Sequence, residues 1–105
     1  MDYIYVTASD NIPAPPTHDM VCIDLETTGL SAIEDVPRLL QYTAHDGRIV
    51  LIDLFHVDPP QNFWEELLTN VLVGHNIKFD LSFLRHHFEV HAHRVFCTMT
   101  AARLL

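Results

Sequence analysis

The sequence predicts an α/β fold, a single mixed β-sheet with helices packed on it. Three observations lead there. Strand-length apolar stretches crowd the first half of the chain. An Asp46-Gly47 pair, a strong hairpin signal, sits between two of them. Beyond Pro59-Pro60, helical and strand patterns alternate to the end.

Taken in order, residues 3–7 (Tyr-Ile-Tyr-Val-Thr) read as a strand, and residues 11–19, with Pro13, Pro15 and Pro16, as a loop. Residues 20–26 form the next strand, which Thr28-Gly29 breaks. Residues 38–44 and 48–55 are two further strands joined by the hairpin. The second is apolar on both faces over residues 49–52, which places it inside the sheet rather than at an edge. A helix is expected over 62–69, a short buried strand over 71–73, a stronger helix over 77–88, and a last strand over 93–96. The final helix begins at Thr98 and runs to Leu105 with no cap or Pro/Gly stop behind it, so the domain is expected to continue.

At 105 residues the chain has room for one small domain, 1–105. A hydrophobic fraction of 49% excludes a disordered tail. No apolar run approaches the roughly 18 residues that span a membrane, and Met1-Asp2-Tyr3 lacks the basic start of a secretory signal; a soluble, cytoplasmic chain is the expectation. Cys22 and Cys97 lie far apart and are read as reduced, buried thiols. A net charge of −8 offers no basic surface for nucleic acid. An acidic chain can still bind a phosphodiester when its carboxylates hold divalent cations, because the ions invert the local field.

Two groups of residues carry chemistry. In Ile23-Asp24-Leu25-Glu26-Thr27-Thr28-Gly29-Leu30, strand alternation points Val21, Ile23 and Leu25 into a core. Asp24 and Glu26 then lie side by side on the other face. Paired carboxylates repel unless solvated or bridged, and a divalent cation would supply the bridge. In Gly74-His75-Asn76-Ile77-Lys78-Phe79-Asp80, Asn76 is a natural N-cap. Ile77, Leu81, Leu84 and Phe88 make an apolar stripe, and Asp80 lies beside its centre, aimed at the sheet. A carboxylate in that position needs a partner. Three acids converging from a strand and a helix suit a pair of cations that carry out in-line phosphoryl displacement. His86, His87, His91 and His93 are read as solvated. Trp64, Phe63 and Leu67 are read as core, and Asp53 is left outside the site.

These motifs resemble those of the DEDD superfamily of 3′→5′ exonucleases. Asp24-Leu25-Glu26-Thr27-Thr28-Gly29-Leu30 is similar to the first exonuclease motif and His75-Asn76-Ile77-Lys78-Phe79-Asp80 to the second. Within the superfamily the chain looks most like the proofreading domain of family A (polymerase I type) DNA polymerases. The helix from Thr98 adds to that likeness, although Cys97 stands where the family usually has Asp. The resemblance implies an RNase H-like fold, truncated here at its C-terminus, and Mg²⁺ or Mn²⁺ as a two-ion cofactor held by Asp24, Glu26 and Asp80. It implies substrate contacts from Thr27, Leu30, Asn76 and Phe79, with Leu30 and Phe79 packing on the terminal nucleotide and Asn76 positioning the 3′ end. The implied partners are a nucleic-acid 3′ end, single-stranded DNA first, and a fused or associated polymerase region. The third motif of the family, with its fourth carboxylate and a Tyr or His, falls beyond Leu105. Two other readings stay open: an RNA 3′-end exonuclease of the ribonuclease D type, and a non-catalytic nucleic-acid-binding remnant.

Overall fold

The central strand of the sheet is the one that carries Asp24 and Glu26. In the computed structural model, which describes residues 3–9 and 11–104, the elements are β1 (Tyr3–Val6), β2 (Met20–Thr27), β3 (Pro37–Thr43), β4 (Ile49–Asp53), α1 (Gln61–Leu67), β5 (Val71–Gly74), α2 (Ile77–Phe88), β6 (Val95–Cys97) and α3 (Thr98–Leu104). The strands form one sheet in the order β1-β4-β3-β2-β5-β6. β2, β3 and β4 are antiparallel neighbours, while β1–β4, β2–β5 and β5–β6 are parallel. The sheet is therefore mixed, as expected. β4 lies between β1 and β3, which explains its apolar character on both faces.

Alternation sets the two faces. Val21, Ile23 and Leu25 of β2 join Leu40, Tyr42, Val50, Ile52 and Leu72 on the buried side. Phe63, Trp64 and Leu67 of α1 and Ile77, Phe83 and Leu84 of α2 close over them as one core. Each such side chain, fully buried, contributes about 1.5–3 kcal/mol. Aromatic edges organise the layer: the Tyr42 and Phe63 rings meet at 5.2 Å and those of Trp64 and Phe88 at 5.2 Å. Burial holds the Tyr42 phenol well above its ordinary pKa, and its hydroxyl donates to the Pro13 carbonyl, which pins the proline-rich loop to the core. On the opposite face Tyr3, Tyr5, Met20, Cys22, Asp24, Glu26 and Gln41 are all exposed.

Four expectations need correction. Cys22 is exposed and Cys97 only half-buried, though both are free thiols; Cys22 shares a strand face with the carboxylates, not with the core. Asn76 holds the N-cap position of α2 but makes no side-chain capping bond; it adopts a left-handed backbone (φ 53°) that reverses the chain between β5 and α2. The buried face of α2 is Ile77, Asp80, Phe83 and Leu84, rotated from the predicted stripe, so that Leu81 and Phe88 are half-exposed. The last strand begins at Val95 rather than His93; the Arg94 guanidinium donates to the carbonyls of Leu68 and Thr69 at the end of α1. Leu105 lies outside the described residues.

The entry to β2 is set by one buried polar side chain. Asn70, 1% exposed, donates from Nδ2 to the Pro16 and Leu67 carbonyls and accepts the Asp19 N–H on Oδ1. It joins the end of α1 to the loop that leads into the central strand. Replacement by alanine strands these buried groups, so Asn70→Ala should lower stability by about 1–3 kcal/mol in a denaturant melt. A surface change such as Gln61→Ala should leave it within about 0.5 kcal/mol.

Candidate active site

The hydrogen-bonding pattern of β2 creates the site. Its pairing with β5 ends at Cys22↔Val73, whereas its pairing with β3 continues through Asp24↔Gln41, Leu25↔Leu40 and Glu26↔Leu39. Over its C-terminal half the strand is thus open along one edge. β2 is also where the sheet changes from antiparallel to parallel neighbours, and open α/β sheets bind ligands at such a switch point, beyond the carboxyl ends of the strands. A register shift between Glu26 and Thr27 bends the strand end.

α2 fills the space beside that open edge. After β5 the chain passes Gly74, where a Cβ would lie 3.2 Å from the Ile23 carbonyl oxygen; the missing side chain lets the turn into α2 press against β2. One turn later Asp80 faces the strand. It is 4% exposed, and its Oδ2 is buried without a hydrogen-bond partner. Burial pushes its pKa up to about 7, the negative charge of Asp24 adds to the rise, and the Leu25 backbone N–H opposes it. The fold has therefore brought two acids from distant motifs into electrostatic contact. Glu26 lies two residues further along the same face of β2, exposed like Asp24. Among the described residues, no group of three or more His, Cys, Asp or Glu is positioned to hold a metal ion.

The other predicted site residues surround this edge. Thr27 Oγ1 donates to the Gly29 carbonyl at 2.6 Å. Leu30, 88% exposed, projects from the loop after β2. Asn76 is exposed at the head of α2, and Phe79 is half-buried with its ring 5.1 Å from that of Phe83. Asp53 falls in the same cross-strand row as Glu26, through Leu39, but two strand spacings, about 10 Å, away. His56 Nδ1 at 2.7 Å and the Phe55 N–H occupy its carboxylate and hold its pKa low.

Two contributors were not read from the sequence. His87, expected to be solvated, is half-buried and its Nε2 donates to the carbonyls of Ala32 (3.0 Å) and Asp35 (2.9 Å). It ties the loop bearing Leu30 to the helix bearing Asp80. That loop is already closed on itself by the Asp35 carboxylate, which accepts the Ser31 N–H and presses so close to Gly29 that a Cβ there would meet it at 2.4 Å. The second is Cys97. Its thiol pKa is lowered to about 6 by the Thr100 hydroxyl and by the backbone N–H groups of Thr100, Ile77 and Asn76. Cys97 thus stands where the start of α3 meets the start of α2. Spacing along the chain revealed neither role, because the His87 partners lie more than 50 residues away and Ile77 and Asn76 lie 20 and 21 residues from Cys97.

The site geometry and the sheet order define a class, and the comparisons name it. The chain belongs to the 3′–5′ exonuclease family, whose model matches residues 5–105. It is 30% identical to the DNA polymerase I of Aquifex aeolicus (strain VF5) over 109 residues, which is 100% of this chain and 18% of that protein. Brucella melitensis NrnC bound to pGG superposes with a TM-score of 0.79 at 26% identity, over 99% of this chain and 52% of that one. NrnC with bound Mg²⁺ gives a TM-score of 0.71 at 29% identity, over 97% of this chain and 50% of that one. Escherichia coli RNase D, an exoribonuclease involved in structured RNA processing, shares the fold at a TM-score of 0.73 and 16% identity, over 97% of this chain and 28% of that one. The chain therefore spans about half the length of NrnC and a smaller part of the polymerase. The RNase H-like, mixed-sheet expectation agrees with these neighbours.

The state of Asp80 has a measurable consequence. A folded pKa raised above the unfolded value means that the native state holds the proton more tightly. Stability is then highest below about pH 4, falls as pH rises and reaches its full loss above about pH 7. Asp80→Asn keeps the shape without the charge. In the absence of divalent cations it should raise the melting temperature at pH 8 and change it little at pH 4. A variant that gains nothing at pH 8 would show that Asp80 is not strained by its surroundings.

Proposed function

We propose that this chain supplies the first part of a divalent-cation-dependent 3′→5′ exonuclease site, with Asp24, Glu26 and Asp80 as cation ligands and catalytic carboxylates, acting on the 3′ end of single-stranded DNA. The observation that carries the reading is the buried, unpartnered Oδ2 of Asp80 set against the charge of Asp24. A buried carboxylate beside a second negative charge is unfavourable, and a cation between them would relieve it. Hard carboxylate oxygens are the donors that Mg²⁺ and Mn²⁺ select, so the residues fit the ion. Bound there, such ions supply an activated water and stabilise charge on the leaving 3′-oxygen.

The chain's own groups do the remaining work. The apolar packing of Ile77, Phe83 and Leu84 fixes the helix that carries Asp80, and the open edge of β2 admits a phosphodiester beside Asp24. Leu30 and Phe79 offer apolar surface on which a terminal base and sugar can rest, Asn76 presents a side-chain amide at the turn, and Thr27 holds the loop by its bond to Gly29. Mg²⁺ in NrnC supports the ion, and the polymerase likeness supports DNA and a polymerase region as fused or associated partner. The pGG held by NrnC favours a second reading, in which short oligonucleotides or RNA 3′ ends are the substrate.

The test is loss of 3′ nucleotides from labelled DNA and RNA oligomers of the same sequence in Mg²⁺ or Mn²⁺, using the protein that contains this chain. Asp24→Ala should lower the rate by at least about a hundredfold without lowering the melting temperature. An Asp24→Ala variant as active as the wild type contradicts the reading. Faster removal from RNA than from DNA selects the second one.

A further inference from the structure

Leu30 projects from a loop that its own apolar side chains do not hold down. The loop runs from Thr28 to Val36, between β2 and β3. Leu30 is 88% and Ile33 78% exposed, and of the loop's apolar side chains only Ala32 packs against the core. Polar closure gives the loop its form. At the mouth, the Thr28 N–H donates to the Val36 carbonyl at 3.0 Å, and the Val36 N–H donates to Thr28 Oγ1 at 3.0 Å. Inside, the Asp35 carboxylate accepts the Ser31 N–H at 3.0 Å, and the Asp35 N–H donates to the Ser31 carbonyl at 2.8 Å. These bonds are internal to the loop, so they shape it without setting where it stands relative to α2.

His87 sets that place. Among the described residues, the hydrogen bonds between this loop and α2 are the two that His87 Nε2 makes, to the carbonyls of Ala32 at 3.0 Å and Asp35 at 2.9 Å. Carbonyls only accept, so the pair selects the ring state with hydrogen on Nε2. The ring is half-buried and stacks on Phe83 at an interplanar angle of 15°, and Phe83 is fully buried. The core therefore aims the donor. His87 follows Asp80 by seven residues, two helical turns, so both lie on one face of α2, about 10 Å apart along its axis. One end of that face presents a candidate cation ligand, and the other grips the loop that presents Leu30.

We infer that His87 is a positioning residue for the terminal nucleotide: it holds the Leu30 loop at a preset place relative to Asp80, before substrate arrives. A contact surface already in place spares the ordering cost that binding would otherwise carry. The inference rests on the proposed exonuclease reading, because it takes Leu30 to touch the nucleotide that the carboxylates release.

Two substitutions separate the donor from the ring. His87→Phe keeps an aromatic ring against Phe83 and removes the N–H; His87→Gln keeps an N–H near the place of Nε2. With the protein that contains this chain, KM and kcat for removal of 3′ nucleotides are measured in the wild-type and Leu30→Ala backgrounds, and amide hydrogen exchange over residues 28–36 is followed without substrate. His87→Phe should raise KM about tenfold with kcat within about twofold and speed exchange in the loop but not in β2 or β3. His87→Gln should restore most of both. In the Leu30→Ala background His87→Phe should add no more than about twofold, because the contact it places is already gone. If His87→Phe folds poorly, Asp35→Ala, which opens the same loop from within, should raise KM in the same way and likewise lose its effect beside Leu30→Ala. An unchanged KM, or the same factor in both backgrounds, overturns the positioning role and leaves the exonuclease reading in place. No removal of 3′ nucleotides by the wild type overturns that reading and the role with it.

Discussion

A buried carboxylate without a partner, set beside a second carboxylate, is the constraint on which the rest of this structure depends. Asp80 is almost wholly removed from water, one oxygen accepts no hydrogen bond, and Asp24 repels it. Isolated, such an arrangement costs stability. The surrounding fold holds it in place through apolar contacts that do not depend on it: Ile77, Phe83 and Leu84 anchor α2 on the sheet whatever the charge of Asp80. Perturbed carboxylates of this kind gather where chemistry is done.

The same constraint gives meaning to features that otherwise look incidental. β2 loses its β5 partner after Cys22 and so leaves an edge open beside Asp24. Gly74 lets α2 approach that edge. His87 joins the Leu30 loop to the end of α2, and Cys97 stands where the beginnings of α2 and α3 meet.

Much of this was legible in the sequence because it rests on periodicity. Alternation in β2 separates Val21, Ile23 and Leu25 from Asp24 and Glu26, and the structure places them on opposite faces as that pattern requires. The apolar character of β4 on both faces placed it inside the sheet, where it is. The helix over 77–88 has its predicted ends. What was not legible depends on contacts across the fold. His87 looks solvated from its neighbours and is engaged by carbonyls more than 50 residues away. Cys22 suggests core because free cysteine is usually buried, yet its position in the alternation gives it to the open face. Asn76 has the chemistry of a cap, but the tight passage from β5 to α2 needs its left-handed backbone instead.

The surface of this acidic chain is divided: Lys78, Arg85, His86, His91 and His93 line a groove on the outer side of α2 that neither Asp24 nor Asp80 lines. The claim at the centre is that Asp24 and Asp80 form a seat for a divalent cation, and direct Mn²⁺ binding tests it. Titration followed by the Mn²⁺ electron paramagnetic resonance signal at pH 8 should show saturable binding by the wild type, weakened at least about tenfold by Asp80→Asn and by Asp24→Asn alike. Binding that is unaffected by either change, with both variants folded, would contradict the account.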